Sequence, residues 1–164
     1  MEKTKTESIR ERIKTFEDAV EATGMTLPFS EEQMAVLPKD VVAYMKLRII
    51  AAALNGLTKD TLNEFPVFSE DEYRYYPWFY FVTQKELDKM EEKEKKSLLL
   101  WGAFASDGSG AGLVCSYSSI AGTHSSSSFA ARLAIKTSDD AEYFGKQFTS
   151  IWNDYILAQN NSLG

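Results

Sequence analysis

At 164 residues, with 44% hydrophobic and 26% charged side chains, the chain is long enough to bury a core and reads as one globular domain over 1–164. Its net charge of −6 argues against nucleic-acid binding, which draws on clustered Lys and Arg. No apolar run approaches the roughly 20 residues of a membrane span, residues 1–19 lack the apolar stretch of a secretory signal, and the single cysteine, Cys115, excludes an intrachain disulfide; a location inside a cell and off membranes is expected.

Residues 1–8 are polar, and fraying is expected there. Ile9, Ile13, Phe16 and Val20 then recur at helical spacing as far as Gly24. Thr15 and Asp18 carry a capping signature that would instead start a shorter helix at Phe16; either way Phe16, Ala19 and Val20 form its buried face. Met25 to Leu37 reads as a loop. A second helix follows Pro38, which suits a first turn because its missing N–H costs nothing there. Val41, Tyr44, Met45, Arg48, Ala52 and Asn55 trace one face, Val42, Ile49, Ala53 and Leu57 widen the apolar side, and Gly56 marks the stop. A helix this apolar is expected to be covered on more than one side.

Residues 57–71 read as loop. In Tyr76-Pro77-Trp78-Phe79-Tyr80-Phe81-Val82 the aromatic content predicts a strand, with Pro77 at its start or on a sheet edge. Tyr76, Trp78, Tyr80 and Val82 would share one face and Phe79 and Phe81 the other, so either both faces are covered or one is a contact surface. The charged stretch 84–96 reads as an insertion holding a short solvated helix, with a Thr83–Glu86 capping signature and a thin Leu87–Met90 stripe. Further strands are expected over Leu98–Ala105, Ala111–Tyr117 and Phe129–Ile135, with a serine-rich hairpin tip over 118–128. Ser138 is expected to cap a continuous amphipathic helix reaching about Gln159, whose stripe is Ala141, Phe144, Phe148, Ile151, Trp152 and Tyr155. Gly145 would mark close approach of a strand. These elements predict an α+β fold: a small antiparallel sheet of about four strands, with N-terminal helices and the C-terminal helix packed on it.

No catalytic, cofactor-binding or metal-binding set emerges. The one histidine, His124, sits in the serine-rich tip, where neighbouring serines say nothing about triad geometry. One His and one Cys cannot furnish a zinc site of familiar spacing. Glu70-Asp71-Glu72 lacks the alternation of an EF-hand. Gly108-Ser109-Gly110-Ala111-Gly112 is followed by strand rather than by the helix a phosphate loop needs, so it reads as a turn. Aromatics are the departure from average, at 13% of the chain and clustered at 73–81 and 143–155. Most suit a core, and Tyr76, Trp78 and Tyr80 are the candidate binding residues.

Three blocks, Tyr75-Tyr76-Pro77-Trp78-Phe79, Ala131-Arg132-Leu133-Ala134-Ile135-Lys136-Thr137 and Ala141-Glu142-Tyr143-Phe144-Gly145-Lys146-Gln147-Phe148, together resemble an uncharacterised family of small proteins encoded by phages and prophages of gut Bacteroidales. Residues 13–19 and 46–55 are similar to that family too. The chain departs from the pattern in its charged segment 84–96 and in lacking a cysteine often seen in the 131–137 strand. The resemblance implies phage association, in the host bacterial cytoplasm during infection or in the virion, and carries no assigned activity. Together with the missing catalytic set, it predicts a non-enzymatic protein that binds a protein partner or itself, as a virion accessory or assembly component. The alternatives are a glycan-binding module, built on Trp78, Tyr80 and the 118–128 tip, and an early-infection inhibitor of a host protein.

Overall fold

The computed structural model describes residues 8–61, 74–91, 98–99, 110–121 and 133–157. In chain order these form α1 (Ile9–Arg12), α2 (Phe16–Thr23), α3 (Glu31–Ala35), α4 (Lys39–Leu54), β1 (Arg74–Thr83), α5 (Gln84–Leu87), β2 (Leu98–Leu99), β3 (Gly110–Ala121), α6 (Ser138–Gln147) and α7 (Thr149–Leu157). This corrects the expected fold class. The described residues are predominantly helical, with more than twice as many in helix as in strand, and no four-stranded sheet is present among them. The strands pair antiparallel in the order β1-β3-β2.

The expected strand over 129–135 accounts for much of the difference. Its first four residues lie outside the described ones. At its end only Ile135 pairs, in a single bridge with Tyr75. Leu133, Ala134 and Ile135 are all buried, so the in–out alternation of a half-exposed strand is not kept there. Of the expected strand 98–105, β2 is described only at Leu98–Leu99. Conversely, β3 runs on through Ser118–Ala121, which the serine content had assigned to a hairpin tip.

Short capping motifs divide the N-terminal region. Thr15 Oγ1 accepts from the Asp18 amide, while Asp18 Oδ2 accepts from the amides of Lys14 and Thr15. A new helix therefore starts at Phe16 and the segment before it is a separate single turn. Gly24 closes α2 at φ 66°, a left-handed value that glycine adopts without strain. Within Met25–Leu37, read as loop, Ser30 and Gln33 cap the five-residue α3. α4 buries Ala43, Leu47 and every residue from Ile49 to Leu54, whereas Val41 is exposed. It is thus enclosed on several sides, touching α2, α6 and α7.

The last helix is two helices. Thr137, not Ser138, is the cap: its Oγ1 accepts from the Asp140 amide. The break falls at Phe148. Thr149 Oγ1 donates to the carbonyls of Gly145 and Lys146, and the indole Nε1 of Trp152 donates to the Phe144 carbonyl. Side chains thus serve carbonyls near the end of α6, as helix ends require. Gly145 is buried in α6, which touches β1 and β3. Phe144, Phe148 and Trp152 stay aligned across the break and bury against Leu47, Ile50 and Ile135 in one core.

Asn55 connects the helical layer to the C-terminal strand-like segment. Its Nδ2 donates to the Ala134 carbonyl at 2.8 Å and its Oδ1 accepts from the Lys136 amide at 3.0 Å. Asn55→Leu keeps the branched shape but strands both backbone groups, and should destabilise the fold by about 2–4 kcal/mol; chemical denaturation measures this. A second outcome concerns acid. The amides of Lys14 and Thr15 hold the Asp18 carboxyl below its ordinary value of 3.8. The unfolded chain therefore takes the proton first, and the stability Asp18 contributes is lost as pH falls from that ordinary value through the folded one. Asp18→Asn should flatten the decline in urea midpoint between about pH 5 and about pH 3.

Candidate functional site

The candidate residues Tyr76, Trp78 and Tyr80 all fall in β1, at alternate positions. Alternation places Tyr76 and Trp78 on one side of the strand. The opposite side meets the helices: Tyr75 and Phe79 pack on the core, and the Phe79 ring lies 5.1 Å from that of Trp152. Of the two faces left open by the sequence, the one bearing Phe79 is therefore the covered one. On the other, Tyr76 is half-buried and Trp78 is 41% exposed. The side chain of Tyr80 lies outside the described residues; its backbone pairs with Val114.

Pro77 sits inside β1 rather than at its start. Tyr75 exchanges both backbone hydrogen bonds with Ile135, on the side of β1 away from β3. Pro77, two residues on, turns its backbone to that same side, so its missing N–H removes no bond from the β1–β3 ladder.

Across the ladder the backbone of Tyr76 pairs with that of Ser119 and the backbone of Trp78 with that of Tyr117. The register then shifts: Phe79 pairs with Cys115, leaving Ser116 as an extra residue in β3. A second shift follows at Val82/Thr83, where Ala111 is the extra residue. Bulges increase local twist, and the first falls immediately beside Trp78. On this twisted ladder Tyr76 and Trp78 are the described aromatics of the face, Tyr76 half-buried and Trp78 exposed. These two side chains offer contact area and, from the Tyr76 hydroxyl, hydrogen bonding.

The displaced acid–base groups lie elsewhere. Burial raises the Tyr143 phenol, helped by the charge of Asp18, and burial raises Tyr155, with Tyr44 and Asp40 adding to it. Backbone and side-chain bonds at Ser8 lower Glu11. Each shift has a local structural cause. Tyr143, for one, donates to the Ile13 carbonyl at 2.8 Å. Among the described residues no group of three or more His, Cys, Asp or Glu could hold a metal ion. His124, Glu70-Asp71-Glu72 and Gly108-Ser109 lie outside them, and Cys115 occupies a mid-strand position in β3.

Sequence reasoning passed over one concave feature. Between α3, α4 and α7 lies a cleft of about 270 Å³ with Met34, Leu37, Val42 and Ile151 among its apolar lining and Lys39, Lys46 and Asp154 among its polar one. The signal that pointed to it was the Ser30-x-x-Gln33 capping pair, since without α3 the cleft has no third wall.

Scanned against protein-family models, curated proteins and solved structures, the chain matches none of them. Among the described residues no helix is long and apolar enough to cross a membrane.

The two tryptophans of the β1–α7 region should respond differently to truncation. Trp152, 5% exposed and ringed by Phe79, Phe144 and Tyr155, should lose about 3–5 kcal/mol as Trp152→Ala. Trp78→Ala, at 41% exposure, should lose less than that. Denaturation midpoints of the two variants make the comparison.

Proposed function

We propose that this is a phage-encoded protein that works by binding rather than catalysis, as a virion accessory or assembly component. Its contact would be made with a protein partner or a second copy through the β1 face of Tyr76 and Trp78, with Tyr80 next in the alternation. The observation that carries the reading is the 41% exposure of Trp78 on the strand side turned away from the helical core. Tryptophan buries a large area at small conformational cost and is enriched among residues that dominate interfaces. The phage setting, and with it residence in the host bacterial cytoplasm during infection and then in particles, rests on the family resemblance of the three sequence blocks.

Mass spectrometry of purified particles tests the reading. The protein should be present in them, and Trp78→Ala, folded to wild-type stability, should reduce its incorporation by about tenfold, the scale of one interface anchor. Abundance in infected cells with absence from particles would sink the virion role. A glycan-binding role would use the same Trp78, opposite Tyr117 and beside Ser119 in the register. Glycan-array binding that survives Trp78→Ala removes its basis.

A further inference from the structure

The cleft between α3, α4 and α7 combines an apolar floor with cationic side chains. Its floor is apolar, from Met34, Leu37, Val42 and Ile151, none of which is fully buried. Its wall carries two lysines, Lys39 and Lys46, seven residues apart and so on one side of α4. Neither makes an ion pair among the described residues. Lys46 stands over the Phe16 ring, 5.4 Å from its centroid, a contact with a neutral group. Asp154 shares the lining without bridging to either. In a chain of net charge −6, this is a locally cationic, apolar hollow.

From this we infer that the cleft binds a small apolar carboxylate, its hydrocarbon part against Met34, Leu37, Val42 and Ile151 and its anionic end facing Lys39 and Lys46. The size matches a small occupant: about 270 Å³ lies just below the roughly 300 Å³ at which drug-sized pockets begin. A neutral apolar ligand would leave the lysines unused, and a cation would be repelled by two charges against one. Asp154 limits the affinity, since its carboxylate repels the anionic end. The site shares no residue with the Tyr76–Trp78 face, and its success or failure says nothing about that reading.

The test is a titration of the ¹⁵N-labelled protein with octanoate, with octan-1-ol as the neutral probe. Octanoate should move amide signals of residues 34–46 and 151–154 in a saturable way. The double variant Lys39→Gln, Lys46→Gln should weaken octanoate binding by about fivefold while leaving octanol binding unchanged, as expected for exposed charge pairs. Asp154→Asn should shift the octanoate constant the other way, which guards against a general loss of structure in the lysine variant. The inference is overturned if octanoate up to about 10 mM, the limit of weak binding, leaves those signals unmoved. It is equally overturned if the shifts fall elsewhere, or if the lysine variant weakens octanol as much as octanoate.

Discussion

The side-chain amide of Asn55 is the joint on which the described structure depends. It stands at the C-terminal cap of α4, only 7% exposed, and meets the Ala134 carbonyl and the Lys136 amide as a neighbouring strand would. The other edge of the same segment is held by Ile135, which exchanges two backbone bonds with Tyr75. A segment gripped on both edges can bury three consecutive residues without leaving their peptide groups unpaired. Lys136 adds a third tie by donating from Nζ to the Asn55 carbonyl. α4, β1 and the start of α6 are thereby fixed to one another by a handful of directed bonds, around which the apolar packing fills in.

That packing is aromatic and continuous. Tyr44 stacks on Tyr155 at 5.8 Å, Tyr155 meets Trp152, and Trp152 meets both Phe144 and Phe79. The chain of rings links α4, α7, α6 and β1 in turn. Tilted and edge contacts suit the ring quadrupoles better than face-to-face stacks. The candidate binding face is the other side of β1, so alternation alone divides the core aromatics Tyr75 and Phe79 from Tyr76 and Trp78. Tyr143 and Gln147 of α6 donate to the Ile13 and Lys14 carbonyls. Those two residues thus have structural work that accounts for them.

Much of this was legible where a local rule was strong. Thr15 and Asp18 announced the start of α2, Gly24 and Gly56 the ends of α2 and α4, and the apolar stripe of α6 and α7 was readable from Ala141 to Tyr155. The partition of β1 followed from period-two alternation, although which side would be covered did not, because both sides are apolar. Three of the misread features show the physical reasons. The α6–α7 break arises from the Thr149 hydroxyl and the Trp152 indole taking up carbonyls, which periodicity cannot register. α3 is short enough that its capping pair was its main trace. The 133–135 segment has strand composition, yet its described end makes one bridge and a side-chain amide contact, and neither leaves a mark in hydropathy. Tyr76 and Trp78 stood out through residue type alone, and the cleft beside α3 was hidden because its walls come from three separate stretches.

The tie between α6 and the turn after α1 has a temporal side. Tyr143 and Ile13 are 130 positions apart, and Gln147 and Lys14 are 133 apart. Ile13, 1% exposed, belongs to the same core as Leu133, Phe144 and Trp152. On a ribosome the N-terminal helices therefore emerge long before the surface that receives them. Contacts of such sequence separation slow folding, since the connecting chain must be ordered before they form. Synthesis at about 5–20 residues per second leaves α4, already joined by α2, waiting several seconds for α6 and α7. During that interval the apolar side of α4 is open to chaperones, and to association with other nascent copies.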